Sequence, residues 1–151
     1  MTARTFKYVN RLAQALSKRH GLTLAEAVKA ADTRLEDLRE RTLAEIDGAV
    51  HEIQTLAQDI RAVDDPRVQQ IYGAANRIVA VAGVFDRAEL GQAAYSLCEL
   101  ITRFRASGRW SAPMVAVHVD ALQVMRHLQD QDRDHCQALH EGLRQVVAAA
   151  G

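Results

Sequence analysis

Six histidines and two cysteines are the side chains of this chain that most invite a search for a phosphoryl-accepting or metal-binding site. Cys136 and His140 lie four residues apart, so on a helix they would share one face, where a thiolate and an imidazole could bind a metal ion together. On such a helix His135 points elsewhere, and two ligands alone do not complete a metal site, so we predict no metal and no other cofactor. Cys98 and Cys136 form no disulfide or metal pattern either, which indicates a reducing compartment.

His118 is the histidine that we keep as an alternative phosphoryl acceptor. It lies between Val117 and Val119, near the start of a predicted helix. A histidine takes up a phosphoryl group through the lone pair of a ring nitrogen, which must be accessible. At so apolar a position, however, a buried histidine that is hydrogen-bonded to a local partner is the more common arrangement. The main prediction therefore assigns no catalytic residue.

A face of small and uncharged residues opposes the apolar stripe of the second predicted helix. The stripe follows a 4-3-4-3 spacing, which is typical of a buried helix face. At about 100° per residue, the residues on and beside the opposite face follow from the register; they are Tyr72, Gly73, Asn76, Val79, Ala80, Gly83 and Val84. Exposed helix faces are usually charged. We therefore predict that a partner protein binds here, with coverage by another part of this chain, or a small-molecule pocket, as alternatives.

The segment Ala74 to Leu90, AANRIVAVAGVFDRAEL, resembles the phosphorylation helix of histidine phosphotransfer (HPt) domains, A-A-H-x-I-K-G-x-A-G-x-F-x-x-x-x-L. The matching positions are Ala74, Ala75, Ile78, Ala82, Gly83, Phe85 and Leu90. Asn76 stands where the family has its phosphoryl-accepting histidine, and Val79 and Ala80 replace the Lys and Gly that follow. The lone pair of an amide nitrogen is delocalised, so Asn76 cannot accept a phosphoryl group as histidine does. The resemblance, which covers Ile71 to about Phe104, implies a four-helix bundle in two-component signalling.

A fainter resemblance links the chain to small helical proteins encoded beside bacterial chemotaxis genes and called CheE, through the long first helix and the basic N-terminal leader. Together the resemblances imply a non-catalytic signalling module whose partner is a response-regulator receiver domain or a histidine kinase. Two alternatives stay open. One is an active histidine phosphotransferase that uses His118, and the other is a structural homodimeric helical protein.

Local signals divide the chain into four helices. Three local signals mark helix starts. They are the capping boxes at Thr23–Glu26 and Asp86–Glu89 and the pair Asp65-Pro66. Gly108 closes the third helix, and Ser111 is a candidate cap for the fourth. The predicted helices run from 23 to the 63–66 region, from 66 to about 85, from the second capping box to 108, and from about 112 towards the C-terminus.

The short connections between these helices predict an all-α fold, an antiparallel up-down-up-down four-helix bundle. Helices one and four are predicted to be longer than helices two and three, with the polar stretch 129–137 standing clear of the core. Residues 1–22 form a basic leader, which could be a short helix, and 23–151 form the HPt-like bundle. The leader carries five Lys and Arg and no acid.

Composition limits the classes of partner. The 151 residues have a formal net charge of zero, which gives no support for nucleic acid as a partner. No apolar run approaches the roughly 18 residues that span a bilayer, so we predict no membrane segment and a cytoplasmic protein. Only two Pro and eight Gly argue against a β-rich fold, which needs many tight turns.

Overall fold

The computed structural model describes residues 9–11, 23–85, 87–128 and 133–150, and in these residues it contains five helices and no strand. The helices are α1 (Leu24–Leu56), α2 (Pro66–Ala82), α3 (Ala88–Ser107), α4 (Ala112–Met125) and α5 (Arg133–Ala149). A 3-10 turn, Gly83–Phe85, follows α2 directly. The predicted all-α class is confirmed, whereas the predicted count of four helices is wrong.

The difference arises because the predicted fourth helix ends at Met125. Its last turn tightens, since the amides of His127 and Leu128 donate to carbonyls three residues back, over 3.1 and 3.2 Å. Between Leu128 and Cys136 the sequence offers no apolar side chain that could be buried. The helix thus ends before the predicted overhang at 129–137 begins, and 129–132 lie outside the described residues.

The C-terminal residues instead form α5, which packs against α3 and α4. Its buried side chains, which recur on one helix face, are Cys136, Leu143 and Val147. With 14 residues, α4 is shorter than α2 with 17 and α3 with 20. The prediction that the fourth helix is longer than these two is therefore wrong. A single straight helix would not bury the apolar side chains of α5, and their burial against α3 and α4 stabilises two shorter helices instead.

The capping box that begins α1 is confirmed. The amide of Thr23 donates to Glu26 Oε2 over 2.7 Å, and the amide of Glu26 donates to Thr23 Oγ1 over 3.3 Å. The Thr23 hydroxyl also donates to Glu26 Oε2 over 2.8 Å, and the bonds that this carboxylate accepts from the amide and the hydroxyl of Thr23 lower the pKa of Glu26. The helix ends at Leu56, earlier than predicted, and Asp59 follows with a left-handed φ of 59°. With 33 residues, α1 is nevertheless longer than α2 and α3, as predicted.

The chain divides into two compact units, Met1–Leu38 and Arg39–Gly151. In the first unit, the large apolar side chains of α1 are exposed; they are Leu24, Val28, Leu35 and Leu38. In the second unit, the α1 residues Ile46, Val50 and Ile53 are buried. Of the predicted basic leader, only residues 9–11 are described, and the rest of it lies outside the described residues.

The predicted starts and ends of α2 and α3 are mostly confirmed. Asp65 caps α2 by accepting the Arg67 amide over 2.9 Å, and Gly108 ends α3 with a φ of 68°. The N-cap of α3 is Arg87, which makes no side-chain capping bond. Of the second predicted capping box, Asp86 lies outside the described residues. Ser111 occupies the N-cap position of α4, also without a side-chain capping bond.

The buried stripes of α2 and α3 face each other at close range. All stripe residues predicted within α2 are buried; they are Ile71, Ala75, Ile78 and Ala82. The predicted stripe of α3 is buried as well; it consists of Leu90, Ala94, Leu97, Ile101 and Phe104. A Cβ placed on Gly91 would lie 3.1 Å from the Cβ of Ala82. The backbones of α2 and α3 can approach this closely because α3 has a glycine, Gly91, at the point of contact.

Arg87 joins the start of α3 to the end of α4. Its Nη1 donates to the carbonyl of Leu128 over 2.8 Å and to that of Arg126 over 3.3 Å. Carbonyls at a helix C-terminus have no partner within the helix, and a cation there also complements the helix dipole. Arg87 therefore stabilises the C-terminal end of α4.

Replacing Arg87 with methionine should lower the free energy of unfolding by about 1–2 kcal/mol, because hydrogen bonds to charged groups contribute about 1.5–3 kcal/mol and this side chain is half-buried. Urea unfolding followed by circular dichroism would measure the change. The matched control is Arg77→Met, which removes an exposed ion pair with Glu52 and should cost less than about 1 kcal/mol. Equal losses in the two variants would contradict the role of Arg87.

Candidate functional site

The seven residues of the predicted binding face lie along α2 and the turn that follows it. Asn76, Ala80, Gly83 and Val84 are exposed, and Tyr72, Gly73 and Val79 are half-buried. Val84 is 69% exposed, which is high for a large apolar side chain. Because α2 ends at Ala82, Gly83 and Val84 belong to the 3-10 turn and not to the α-helix. We call these seven residues the Asn76 face.

No side chain of the Asn76 face carries a charge at neutral pH. The nearest cation on α2 is Arg77, which pairs with Glu52 of α1 on the neighbouring side. At the N-terminal end, the guanidinium of Arg105 lies 5.3 Å from the ring centroid of Tyr72, and its Nη2 donates to Gln69 over 2.7 Å. A cation over an aromatic face is attracted by the ring quadrupole. Arg105 therefore borders this face without lying on it.

The chemistry available at position 76 is limited to hydrogen bonding. Asn76 Oδ1 lies 3.7 Å from the thiol sulfur of Cys98 on α3, which donates weakly. Cys98 itself is 5% exposed, and burial raises its pKa to about 11. The thiol is therefore protonated at neutral pH and is a poor nucleophile. Neither Asn76 nor Cys98 can replace a phosphoryl-accepting histidine here.

A groove of about 670 Å³ opens beside the Asn76 face and shares Val79 and Gly83 with it. Its walls come from α3 and α5, and they are mainly small or apolar with polar groups at the rim. The lining residues of α3 are Ala88, Gly91, Gln92, Tyr95, Ser96, Glu99 and Arg103, and those of α5 are His140, Arg144, Val147 and Ala148. We call this the α3–α5 groove. Its volume is in the range of ligand pockets.

Sequence reasoning did not predict this groove, because α5 was not expected as a separate helix. Tyr95 was the one available signal. It lies outside the buried stripe of α3 and is 63% exposed, and tyrosine is enriched at binding surfaces. His140, one of the two candidate metal ligands on this helix, instead places Nε2 2.7 Å from Glu89 Oε2 of α3.

His118 lies in the core with no exposed surface. Its Nδ1 lies 2.9 Å from the Met114 carbonyl and its Nε2 lies 3.0 Å from the Ser96 hydroxyl. A carbonyl can only accept, so Nδ1 carries the hydrogen and Nε2 accepts from Ser96. Burial lowers the pKa of His118, and this outweighs the opposing effect of the Met114 bond. Both ring nitrogens are occupied, so a phosphoryl donor could reach them only after α4 moved.

Among the described residues, no three His, Cys, Asp or Glu side chains come together in a group that could hold a metal ion. None of the helices in the described part of the chain is both long enough and apolar enough to cross a membrane.

Comparison with known proteins assigns no family. The chain matches no protein-family model, no curated protein and no solved structure. The resemblance to HPt domains therefore depends on the residue pattern between Ile71 and about Phe104.

Proposed function

We propose that this chain is a non-catalytic, HPt-like signalling module of a bacterial two-component or chemotaxis system. It binds a response-regulator receiver domain or a histidine kinase in the cytoplasm, through the Asn76 face. The observation that carries the proposal is an exposed helix face without charge, at the position where the HPt family, which the sequence resembles, exposes its histidine. The position itself holds Asn76, which has no nucleophilic nitrogen.

The fold part of the proposal is that α1 to α4 correspond to the four-helix bundle of HPt domains, with α5 as an addition. Contacts between sequence-distant residues support this assignment. Glu52 of α1 pairs with Arg77 of α2, and Gln123 of α4 donates to Gln54 of α1 over 3.0 Å. The Ser96–His118 bond joins α3 to α4. These bonds support the proposal that α1 neighbours α2 and α4, and that α3 neighbours α4, as in an up-down-up-down bundle.

The exposure of the Asn76 face supports the proposal that this face binds a partner protein. Had an adjacent element of the second unit covered the Asn76 face, Ala80 and Val84 would be buried, but both are exposed. Burying Val84 alone would contribute up to about 1.5–3 kcal/mol. Small residues let a partner helix approach the backbone of α2 closely, and an apolar helix in a groove is a common recognition mode. The surface is therefore better suited to a protein partner than to solvent.

Replacing Ala80 with arginine should weaken binding of the cognate receiver domain or kinase by at least tenfold, because a long charged side chain would be placed in the centre of the contact. Titration of the full chain against a panel of receiver domains and kinases, phosphorylated and unphosphorylated, would measure this. Arginine is a good helix former, and Ala80 is exposed, so folding should be unaffected.

The matched control is Ala116→Arg, which makes the same exposed substitution on α4 and should leave affinity unchanged. No binding by the wild-type chain to any member of the panel would exclude the proposal. Equal weakening by both variants would show that charge, and not the Asn76 face, governs binding.

A homodimer built on the same face is the second candidate, because an uncharged exposed surface suits a second copy equally well. Light scattering on the wild-type chain and on Gly83→Glu separates the two candidates. A dimer that becomes a monomer on substitution favours self-association, and a monomer in both excludes it.

A further inference from the structure

The first half of α1 carries an apolar stripe that is exposed. Its large side chains are Leu24, Val28, Leu35 and Leu38, which are 83%, 51%, 59% and 52% exposed. Every residue from 31 to 40 is exposed as well. A single helix of this length is marginal in water, and helices in proteins gain most of their stability by packing an apolar face. The stripe therefore needs a partner.

The spacing of the stripe fits one partner helix. With Ala31 included, the apolar residues recur after 4, 3, 4 and 3 positions. This is the seam of a coiled coil, in which two helices pack side by side. It is narrower than the face that a helix usually presents to a globular core. We call Leu24, Val28, Ala31, Leu35 and Leu38 the α1 stripe.

The described part of the leader does not cover the α1 stripe. Val9, the apolar residue among 9–11, is 56% exposed, and residues 10 and 11 are exposed too. A covering segment would have to bury apolar side chains of its own against the stripe. A second copy of this chain brings such side chains in the matching spacing, because it brings the same stripe.

The charges beside the α1 stripe distinguish the two possible orientations of such a pair. At about 100° per residue, Asp32 and Arg39 lie on one side of the stripe, whereas Arg34 and Arg41 lie on the other. Parallel copies would bring opposite sides together, so each Arg34 would face Arg39 of the other copy. Like charges that meet at an interface disfavour pairing. A parallel pair would therefore contain two repulsive contacts.

Antiparallel copies bring the same sides together. With Ala31 opposite Leu35 of the second copy, a small side chain meets a large one, and Asp32 lies beside Arg39 of the second copy. Two-fold symmetry repeats this ion pair, while Arg34 faces its own counterpart once. Asp32 and Arg39 take part in none of the ion pairs between described residues, so both can pair across the seam. Charges beside the seam set the orientation of coiled coils.

We propose that a second copy of this chain occupies the α1 stripe, and that the two copies of α1 form an antiparallel coiled coil. In this pair, Asp32 of each copy lies beside Arg39 of the other. The inference goes beyond the proposed signalling role and does not depend on it, because no residue of the Asn76 face belongs to α1.

Sedimentation equilibrium of the full chain tests the proposal. So short a contact should give a dissociation constant between about 1 µM and about 1 mM, and the measurement covers this range. Leu35→Glu should weaken dimerisation at least about tenfold, because a carboxylate would be buried in the middle of the seam. The matched control is Thr33→Glu, which adds the same charge at an exposed position on the opposite side of α1. It should change dimerisation less than about twofold.

Charge reversal tests the antiparallel arrangement. Asp32→Arg and Arg39→Asp should each weaken dimerisation about threefold or more, because each turns both ion pairs into like-charge contacts. The double variant, with both substitutions, should return to within about twofold of the wild type, because it reverses the ion pairs without removing them.

Several results would overturn the proposal. A monomer at every concentration would do so, and so would equal weakening by Leu35→Glu and Thr33→Glu. Stronger dimerisation of Arg39→Asp alone would indicate a parallel pair, and a double variant as weak as the single ones would exclude the Asp32–Arg39 contact. Circular dichroism would establish whether Leu35→Glu folds; if it does not, the charge-reversal series still decides the outcome.

Two further measurements separate this dimer from the proposed function. Gly83→Glu should leave the dimer intact, and its dissociation would place the contact on the Asn76 face instead. Leu35→Glu should leave binding to a receiver domain or kinase unchanged. The two proposals can therefore fail independently.

Discussion

Replacing His118 with alanine should lower the free energy of unfolding at pH 7.5 by about 2–5 kcal/mol, as large-to-small substitutions in cores do. The side chain has no exposed surface, so its removal leaves a cavity among α3 and α4. The Ser96 hydroxyl and the Met114 carbonyl would also lose their partner, and a buried unsatisfied polar group adds to the cost. Urea unfolding of the wild type and the variant measures the difference.

The penalty should shrink as the pH falls. Burial lowers the pKa of His118, so below the ordinary value of about 6.5 the unfolded chain binds a proton that the folded chain does not. The stabilisation by neutral His118 is complete above that pH and is lost as the pH falls through the lowered folded-state pKa. Within this window the loss is about 1.4 kcal/mol per pH unit. His118→Ala lacks this contribution, so the two curves should converge.

Two outcomes would contradict this account. A penalty that grows on acidification would mean that the folded state prefers protonated His118. A penalty below about 1 kcal/mol would mean that the imidazole is less tightly packed than its burial implies.

Incubating the chain with a phosphorylated receiver domain tests the alternative phosphotransfer hypothesis; acid-labile label that disappears in His118→Gln would favour it.

Replacing Gly91 with leucine should cost about 3 kcal/mol, at the upper end of the range for overpacked sites. Even a Cβ at this position would lie 3.1 Å from the Cβ of Ala82. That neighbour is short and attached to the backbone of α2, so it cannot rotate away. The added Cβ would push α2 and α3 apart by a few tenths of an ångström, and this would also disturb the Asn76 face.

The matched control is Gly48→Leu. Gly48 is also a helical glycine, but a Cβ there would meet nothing within 4 Å. It should raise the free energy of unfolding by about 0.5–1 kcal/mol, because leucine is a better helix former than glycine. Opposite signs for the two substitutions, measured by urea unfolding, would confirm the close approach of α2 and α3. Stabilisation by both would contradict it.

The signals that predicted helix starts and stripes are local in sequence. The Thr23–Glu26 box, the Asp65 cap and the αL glycine Gly108 each need only residues within a few positions. The same holds for the register of α2, which places Asn76 opposite the buried stripe once the helix forms. For this reason the buried stripe and the uncharged face of α2 could be predicted from the sequence without knowledge of any tertiary contact.

Other features depend on residues far apart in the chain, and local reasoning could not find them. Arg87 bonds to the Leu128 carbonyl across 41 residues, and Glu89 to His140 across 51. The predicted capping box at 86–89 shows how a tertiary contact competes with a local one. Glu89 pairs with His140 on α5. The residue at the N-cap is Arg87, which bonds to the end of α4.

The sequence by itself determined the helical class of this protein, the first three helix starts to within two residues, and the absence of a nucleophile at Asn76. Each depends on propensity, capping or side-chain chemistry that acts over one or two helical turns. Only the tertiary structure decided that the last predicted helix divides, that His118 is enclosed, and that α5 and α3 form a groove beside the Asn76 face. These depend on which apolar surfaces are buried together, and that is settled by contacts between distant residues.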